Sequence, residues 1–590
     1  MLYPRLKAIP STRDVVSAFG GYDHRLVIPD GAFFDENNLT SDNYPVLSTR
    51  AEHGIHLVAN SAVKAILDTN ELCYVEGNTV HIGDKTVTAP NSSWLDNVKQ
   101  MVSMGIYLII LDRYGNLIHV NTQTLEIDLL RLKFSSTNYG DDNVETYYYA
   151  TDESGVYPYS EKPNSPKAGD LYSNVVEKRI ERYNGYAWVE VPTRISLSAP
   201  GIQSRFHVGD YVYISGISSG GAHFDVVNGK QTIIAVGKTT MGTKEIDFIT
   251  LDVAPIEFVG MDFTSAEVVI ERRQPSLDNI CVSGNRLWGC RYGMQNGERV
   301  NEIYASKLGD FKDFDYKPGT AADSYSVSLG SDGKFTGAIT YQGNPIFFKE
   351  GVIHRIIGNA PSNYQMQTTE CQGVKDGSYR SLATVDNILF YQAPSGIYAY
   401  DGSLPQSVFS AFGNVKYSDA VGGAYLRKYY VNMKDADGVY ATFVYDINNG
   451  IWHKQDEGVK VDMFAPAENA LYYAVVNTIY TMFGKGEADK APIPWYAETG
   501  IIGTDLPDKK YLSRITLSLS LVREARLMIF IEYDSSGEWT HAATLTGHNL
   551  SSFSIPISIE RCNHFRIRLK GTGECRIYSI TKTMERGSEE

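Results

Sequence analysis

Apolar or aromatic positions alternate with polar ones through most of the chain, and the runs are broken at short intervals by Gly, Asn or Asp. That pattern predicts β-hairpins. It is plainest between Asn344 and Gly402, where one unit occurs twice in succession. Asn344-Pro-Ile-Phe-Phe-Lys-Glu-Gly-Val-Ile-His-Arg-Ile-Ile-Gly358 is followed by Asn387-Ile-Leu-Phe-Tyr-Gln-Ala-Pro-Ser-Gly-Ile-Tyr-Ala-Tyr-Asp-Gly402. Further copies lie at Glu71 to Gly83, Ile106 to Val120, Asn285 to Asp310, Lys428 to Trp452 and Ala470 to Gly484. From the fourth unit to the seventh the starts fall about 42 residues apart, the spacing of a four-stranded propeller blade. Each hairpin has an apolar face that only a neighbour can cover, and closing the series into a ring removes the exposed end. The expected fold is mostly β: a β-propeller of about seven blades, with an inserted small β-barrel-like module and a C-terminal β-sandwich. A sandwich or solenoid made of similar hairpins is the competing reading.

The pattern divides the chain into six stretches. Residues 1–60 carry turn signals and few apolar repeats, and are expected to form an arm packing on the propeller. Residues 61–125 form the first part of the propeller and 273–487 the second. Residues 126–272 break the blade spacing and read as an insertion. It has a Tyr-rich part, 140–192, and a barrel-like part, 193–270, in which Phe206 to Gly216 alternates and Asn228-Gly229 marks a hairpin turn. Strict alternation resumes at 488–583, for instance in His564-Phe-Arg-Ile-Arg-Leu569, as expected of a separate two-sheet sandwich. A short polar tail, 584–590, follows.

Composition adds limits. The 40 Tyr, 23 Phe and 52 Gly favour strands and tight turns over helices. A net charge of −15 and a pI near 5.4 argue against a broad electrostatic footprint on nucleic acid, while leaving room for a local basic channel. Cys73, Cys281, Cys290, Cys371, Cys562 and Cys575 are scattered without a CxxC, and read as small core residues made in a reducing compartment. No secretory apolar core and no membrane-length apolar run occurs, so a soluble chain without a classical export signal is expected.

Candidate chemistry is sparse. There is no Gly-x-Ser-x-Gly elbow, Walker loop or HExxH motif. Asp310, Asp401 and Asp446 end strands, where Asp caps turns. Asp141 to Glu145 is acidic, yet lacks the central Gly and terminal Glu of an EF-hand loop. Lys349, Glu350 and His354 are expected to be turn and edge groups. Neither catalytic residues, nor a cofactor site, nor a metal site is expected. One concentration stands out: Arg514, Arg523, Arg526, Arg561, Arg566, Arg568, Lys570 and Arg576 crowd into an otherwise acidic chain. Arg566, Arg568 and Lys570 alternate and so project from one strand face. With Arg576 they are the candidate interface or channel-facing residues, a solvated strand face being the plainer alternative.

Several of these residues carry a resemblance. Asn285-Arg-Leu-Trp288, Glu302 to Phe311, the two hairpins from Asn344 and Asn387, Cys371-Gln-Gly-Val374 with Tyr379-Arg-Ser-Leu382, and Arg561 to Leu569 with Gly571-Thr-Gly573 resemble the β-propeller tail proteins of short-tailed bacteriophages, known as tail nozzle, tail hub or stabilisation proteins. The resemblance covers 275–484 best, the C-terminal domain less, and the insertion only in kind. It implies a structural virion protein made in the host cytoplasm, in a ring of six copies below the portal and adaptor proteins. Double-stranded DNA would leave through its lumen. It implies no catalytic residues and no cofactor. Two other classes compete: a glycan-binding or glycan-cleaving propeller, since 69 aromatic residues could stack on sugars, and a generic interaction scaffold.

Overall fold

The computed structural model describes residues 11–586 except 131–132, 136–144, 151–158, 160, 175, 178, 192, 205, 207, 209–210, 218–226, 242–243, 254–261, 264–267, 272–274, 296–297, 315–323, 485–487, 490, 506–508 and 559. Asp141 to Val144, most of the acidic run noted above, therefore lie outside the described residues. The described chain is nearly all β-strand, and its only helices are 3-10 turns such as Tyr379–Ser381.

Each hairpin read from the sequence includes the middle pair of a four-stranded antiparallel set. The first set is Val63–Asp68, Leu72–Glu76, Thr79–Ile82 and Lys85–Thr88. The second is Val98–Met104, Tyr107–Asp112, Leu117–Asn121 and Ile127–Leu129, so three residues assigned to the insertion belong here. The third is Asn279–Ser283, Arg286–Gln295, Glu298–Ala305 and Tyr325–Ser328. The duplicated hairpins centre the fourth set, Gly337–Tyr341 to Gln365–Glu370, and the fifth, Ala383–Val385 to Gln406–Ser407. The sixth runs from Ser418–Tyr425 to Ile451–Gln455. The seventh takes Met463–Pro466, Leu471–Val475 and Thr478–Thr481, and completes itself with Gly54–Val58 from the N-terminal segment. At the fifth hairpin a glycine is required: Gly396 has φ +139°, and a Cβ there would lie 2.4 Å from Cδ1 of Phe409.

The sets pack face to face, because each carries β-branched and aromatic side chains on both surfaces. Val75, Val80, Leu108 and Ile118 fill the space between the first and second, and Leu111, Leu117, Leu277 and Leu287 that between the second and third. Comparable clusters follow at each later step. Ala59, Ile66, Ala474 and Ile479 bring the seventh set against the first. The leading strands line up in the same order, and Met463–Pro466 returns against Val63–Asp68. Between Gly337–Tyr341 and Ala383–Val385 the turn Tyr379–Ser381 intervenes and also touches Ser418–Tyr425.

The insertion is built on one core. Glu145–Ala150, from its Tyr-rich part, pairs with Thr193–Ser198 of its barrel-like part in an eight-stranded sheet. Leu171 and Ile180 of the three-stranded sheet share a cluster with Ile195, Val212 and Ile249.

The C-terminal strands share one core and one hydrogen-bonded sheet. Lys510–Tyr533 is a 24-residue strand whose first half pairs with Cys575–Arg586 and whose second half pairs with Phe565–Thr572. Its alternating Ile515, Leu517, Leu519, Leu527, Ile529 and Ile531 face one core, which Phe19, Phe33, Leu39 and Leu47 of the N-terminal segment complete. The unit is not separate in its hydrogen bonding. Pro494–Thr499 pairs with Ala32–Asn37, which runs parallel to Gly21–Tyr22, which in turn meets Trp452 of the sixth set. Five of the six cysteines are buried and all six are free. Burial pushes the thiols of Cys281 up to about 12 and Cys562 up to about 11, so both stay protonated and unreactive.

Candidate functional site

Three of the candidate basic residues, Arg566, Arg568 and Lys570, do share a strand face, with Phe565, Ile567 and Leu569 buried on the other side. Two of them are committed to structure. Register places Arg566 opposite Glu532 and Arg568 opposite Glu498. The Arg566 guanidinium donates to Glu532 and to Glu498, its Nη1 lying 2.5 Å from Oε1 of Glu498. Arg568 donates to Oε2 of Glu498 through Nε at 3.0 Å and Nη2 at 2.6 Å, and its Cζ lies 3.8 Å from the Trp539 ring centroid. Glu532 is 1% exposed and Glu498 7% exposed, so the two arginines compensate carboxylates that burial alone would disfavour. Lys570 is exposed at the end of the row. Arg576, on the next strand, is exposed and pairs with Glu574 at 3.0 Å.

Arg576 also borders a cavity of about 720 Å³ where the N-terminal segment meets the C-terminal unit. The other arginine there, Arg50, is held by Asp456 at 2.9 Å and Asp489 at 3.1 Å. Beside it His53 shares a hydrogen bond with the Tyr473 hydroxyl at 2.7 Å, and burial pushes its imidazole pKa down.

Lys349 and His354 are not edge groups, contrary to the sequence expectation. Both are nearly fully buried, because the middle strands of the fourth set are covered on both faces. The Lys349 ammonium donates to Oδ1 of Asn301 at 2.9 Å and the Ser331 carbonyl at 2.7 Å, and lies 4.8 Å from the Phe335 ring centroid. His354 sits between the hydroxyls of Ser331 at 2.9 Å and Thr368 at 3.0 Å. Burial, then the Lys349 charge, push its pKa down to about 4. A depressed imidazole contributes stability above the unfolded-state value, and that contribution is lost as pH falls through the folded one. Chemical denaturation between pH 6.5 and about 4 is therefore expected to show falling stability in the native chain and a shallower fall in His354→Gln. Equal slopes would contradict the assignment. Asp310, Asp401 and Asp446 each accept the backbone N–H two residues on, as capping groups do.

The leading strands of six of the sets line a second cavity, of about 510 Å³. Its wall includes Ile66, Met101, Ile339, Leu382, Met463 and Phe464, and among the described residues no Asp or Glu lines it. Tyr379 and Arg380 project into it from the 3-10 turn. The Tyr379 hydroxyl donates to the Lys99 carbonyl at 2.9 Å and Nη1 of Arg380 to the Asp462 carbonyl at 2.9 Å, so the turn is tied to the second and seventh sets at once. Among the described residues no cluster of three His, Cys, Asp or Glu could hold a metal, and no helix is long and apolar enough to cross a membrane.

No family model matches the chain, and no curated protein matches it in sequence. Solved structures similar to it include the computationally designed Ika8 protein, at 11% identity over 73% of this chain and 98% of that one, with a TM-score of 0.31. BamB from Moraxella catarrhalis is 9% identical over 74% of this chain and 96% of its own, with a TM-score of 0.31. An exo-β-1,3-galactanase from Phanerochaete chrysosporium is 9% identical over 52% and 95%, with a TM-score of 0.21. Likeness at these levels carries no argument about function.

Proposed function

We propose that the seven four-stranded sets are the blades of one β-propeller, closed where Gly54–Val58 completes the last sheet. We further propose that the chain is a structural protein of a tailed-bacteriophage virion, a ring of six copies in the tail nozzle or hub below the portal and adaptor. The observation that carries this reading is how the charged groups are spent. Arg50, Lys349, Arg566 and Arg568 tie strands to each other and face no reaction site. What remains is a rigid, shaped body, and the residues resembling phage tail proteins lie in its repeated sheets and its C-terminal strands. The central cavity is too small for a DNA duplex and is stoppered by Tyr379 and Arg380. DNA would therefore pass between copies, along a channel bounded by chains of net charge −15 that does not hold the phosphate backbone. A glycan-cleaving propeller would need two carboxylates at its centre, and among the described residues the cavity wall has none.

Native mass spectrometry of the full chain, alone and with the adaptor, is the test. A six-fold mass is the expected result; monomers in every condition would overturn the ring.

A further inference from the structure

Lys99 and Arg380 both line the second cavity, and among the described residues neither forms an ion pair. Nζ of Lys99 lies 5.3 Å from the Tyr379 ring centroid and Cζ of Arg380 lies 5.6 Å from the same centroid. Neither meets a carboxylate among the described residues. Arg380 donates to the carbonyls of Asp462, Lys64 and Lys99, and Lys99 donates to the carbonyl of Asp278. The neighbouring acids are engaged elsewhere. Asp278 pairs with Arg291 at 2.8 Å, Asp376 with Lys334 at 2.6 Å and Asp462 with Lys460 at 3.3 Å. Carbonyl dipoles satisfy the donors' hydrogen bonds without cancelling their charge. Apart from Lys99 and Arg380 the wall is lined mainly by apolar residues, so an anion placed there would meet two cations that no described carboxylate pairs with.

We propose that this cavity binds a small organic anion, with a carboxylate or phosphate held by Lys99 and Arg380 and an apolar body against Met101, Ile339, Leu382 and Phe464. The planar guanidinium suits either oxyanion, and a concave apolar wall with a few convergent polar groups is the usual make-up of a small-molecule site. Lys99 supplies an independent signature. Burial pushes its ammonium pKa down, with Arg113 as the neighbouring cation and Cys290, Asp278 and Asp376 as the facing acids. A bound anion favours the charged form, so binding draws in a proton at alkaline pH.

Isothermal titration of the full chain with phenyl phosphate, benzoate and neutral benzyl alcohol tests this. Saturable binding of one anion or both is expected, with none of benzyl alcohol; which anion binds identifies the oxyanion class. The folded Lys99→Met chain should lose at least about tenfold in affinity, and Lys570→Gln should lose none. Titration at alkaline pH in buffers of different ionisation enthalpy should show net proton uptake, absent in Lys99→Met. Arg380→Gln removes structural ties as well, so Lys99→Met is the deciding variant. The proposal is overturned if neither anion binds saturably, or if a folded Lys99→Met chain binds as the native one does.

Discussion

Deletion of residues 1–58 is expected to leave a chain that no longer unfolds cooperatively, although it removes about a tenth of the sequence and no residue of the hairpin repeat. The seventh sheet would lose its fourth strand, exposing the backbone of Thr478–Thr481 and the faces of Ala474 and Ile479. The C-terminal core would lose Phe19, Phe33, Leu39 and Leu47, each of which buries its side chain there. Large-to-small loss at one such site costs roughly 2–5 kcal/mol. Charges would also be stranded. Lys582, 2% exposed, would lose Asp14 and Asp30; Asp456 and Asp489 would lose Arg50; His453 would lose the fully buried Glu36 at 2.7 Å. Breaking a buried pair from one side costs roughly 3–5 kcal/mol. Together these exceed the stability of most domains. Thermal melts followed by near-ultraviolet circular dichroism measure it, and a native-like transition in the truncated chain would refute the structural role. Gly484→Val probes the same seam without truncation: a Cβ at Gly484 would lie 2.4 Å from the backbone of Gly54, where nothing can yield. A loss near 3 kcal/mol, the upper end of overpacking costs, is expected.

The second large effect concerns Arg566. Replacement by Met should destabilise the C-terminal unit by about 3–5 kcal/mol, because Glu532 keeps only the Gly537 N–H at 2.7 Å as a described partner. The sign of its pH dependence is diagnostic. A stranded buried carboxylate has a folded pKa above its unfolded value, so it penalises folding increasingly as pH rises from that unfolded value through the folded one. The deficit of Arg566→Met should therefore shrink toward acid pH, and adding Glu532→Leu should recover most of it. Lys570→Gln and Arg576→Gln should stay within about 0.5 kcal/mol of the native chain. Denaturant titrations decide. If Arg566→Met kept full stability yet lost assembly, the residue would belong to an interface and the ion-pair account would fail.

These residues also show how far the sequence could be read. Alternation placed Arg566, Arg568 and Lys570 on one face, and the structure does so. It could not reveal Glu498, 68 residues from Arg566, because cross-strand partners in a sheet of this order are set by topology and not by local spacing. The hairpins from Asn344 and Asn387 were legible, since adjacent strands joined by short turns leave a local pattern. The outer strands were not. Val63–Asp68 and Gly337–Tyr341 are short and carry weak alternation, and their pairing follows from the sheet they complete. The N-terminal segment gave the least warning, because several of its short strands, Ser11–Val16 and Gly54–Val58 among them, take their partners from the far end of the chain. The central cavity lacked any signal, as Lys99 and Arg380 are 281 residues apart.

The pairing of Gly54–Val58 with Thr478–Thr481 also has a kinetic side. Oγ1 of Thr481 donates to the Gly54 carbonyl across 427 residues of chain, and Ser11–Val16, paired with Cys575–Arg586, reaches farther still. Contacts of that separation form late and slowly. On the ribosome, at about 5–20 residues per second, the first strands emerge tens of seconds before their partners exist. During that interval Gly54–Val58 has no partner strand, and unpaired edges of this kind are prone to aggregation. Only a chain translated past Thr481 can give Gly54–Val58 its partner strand.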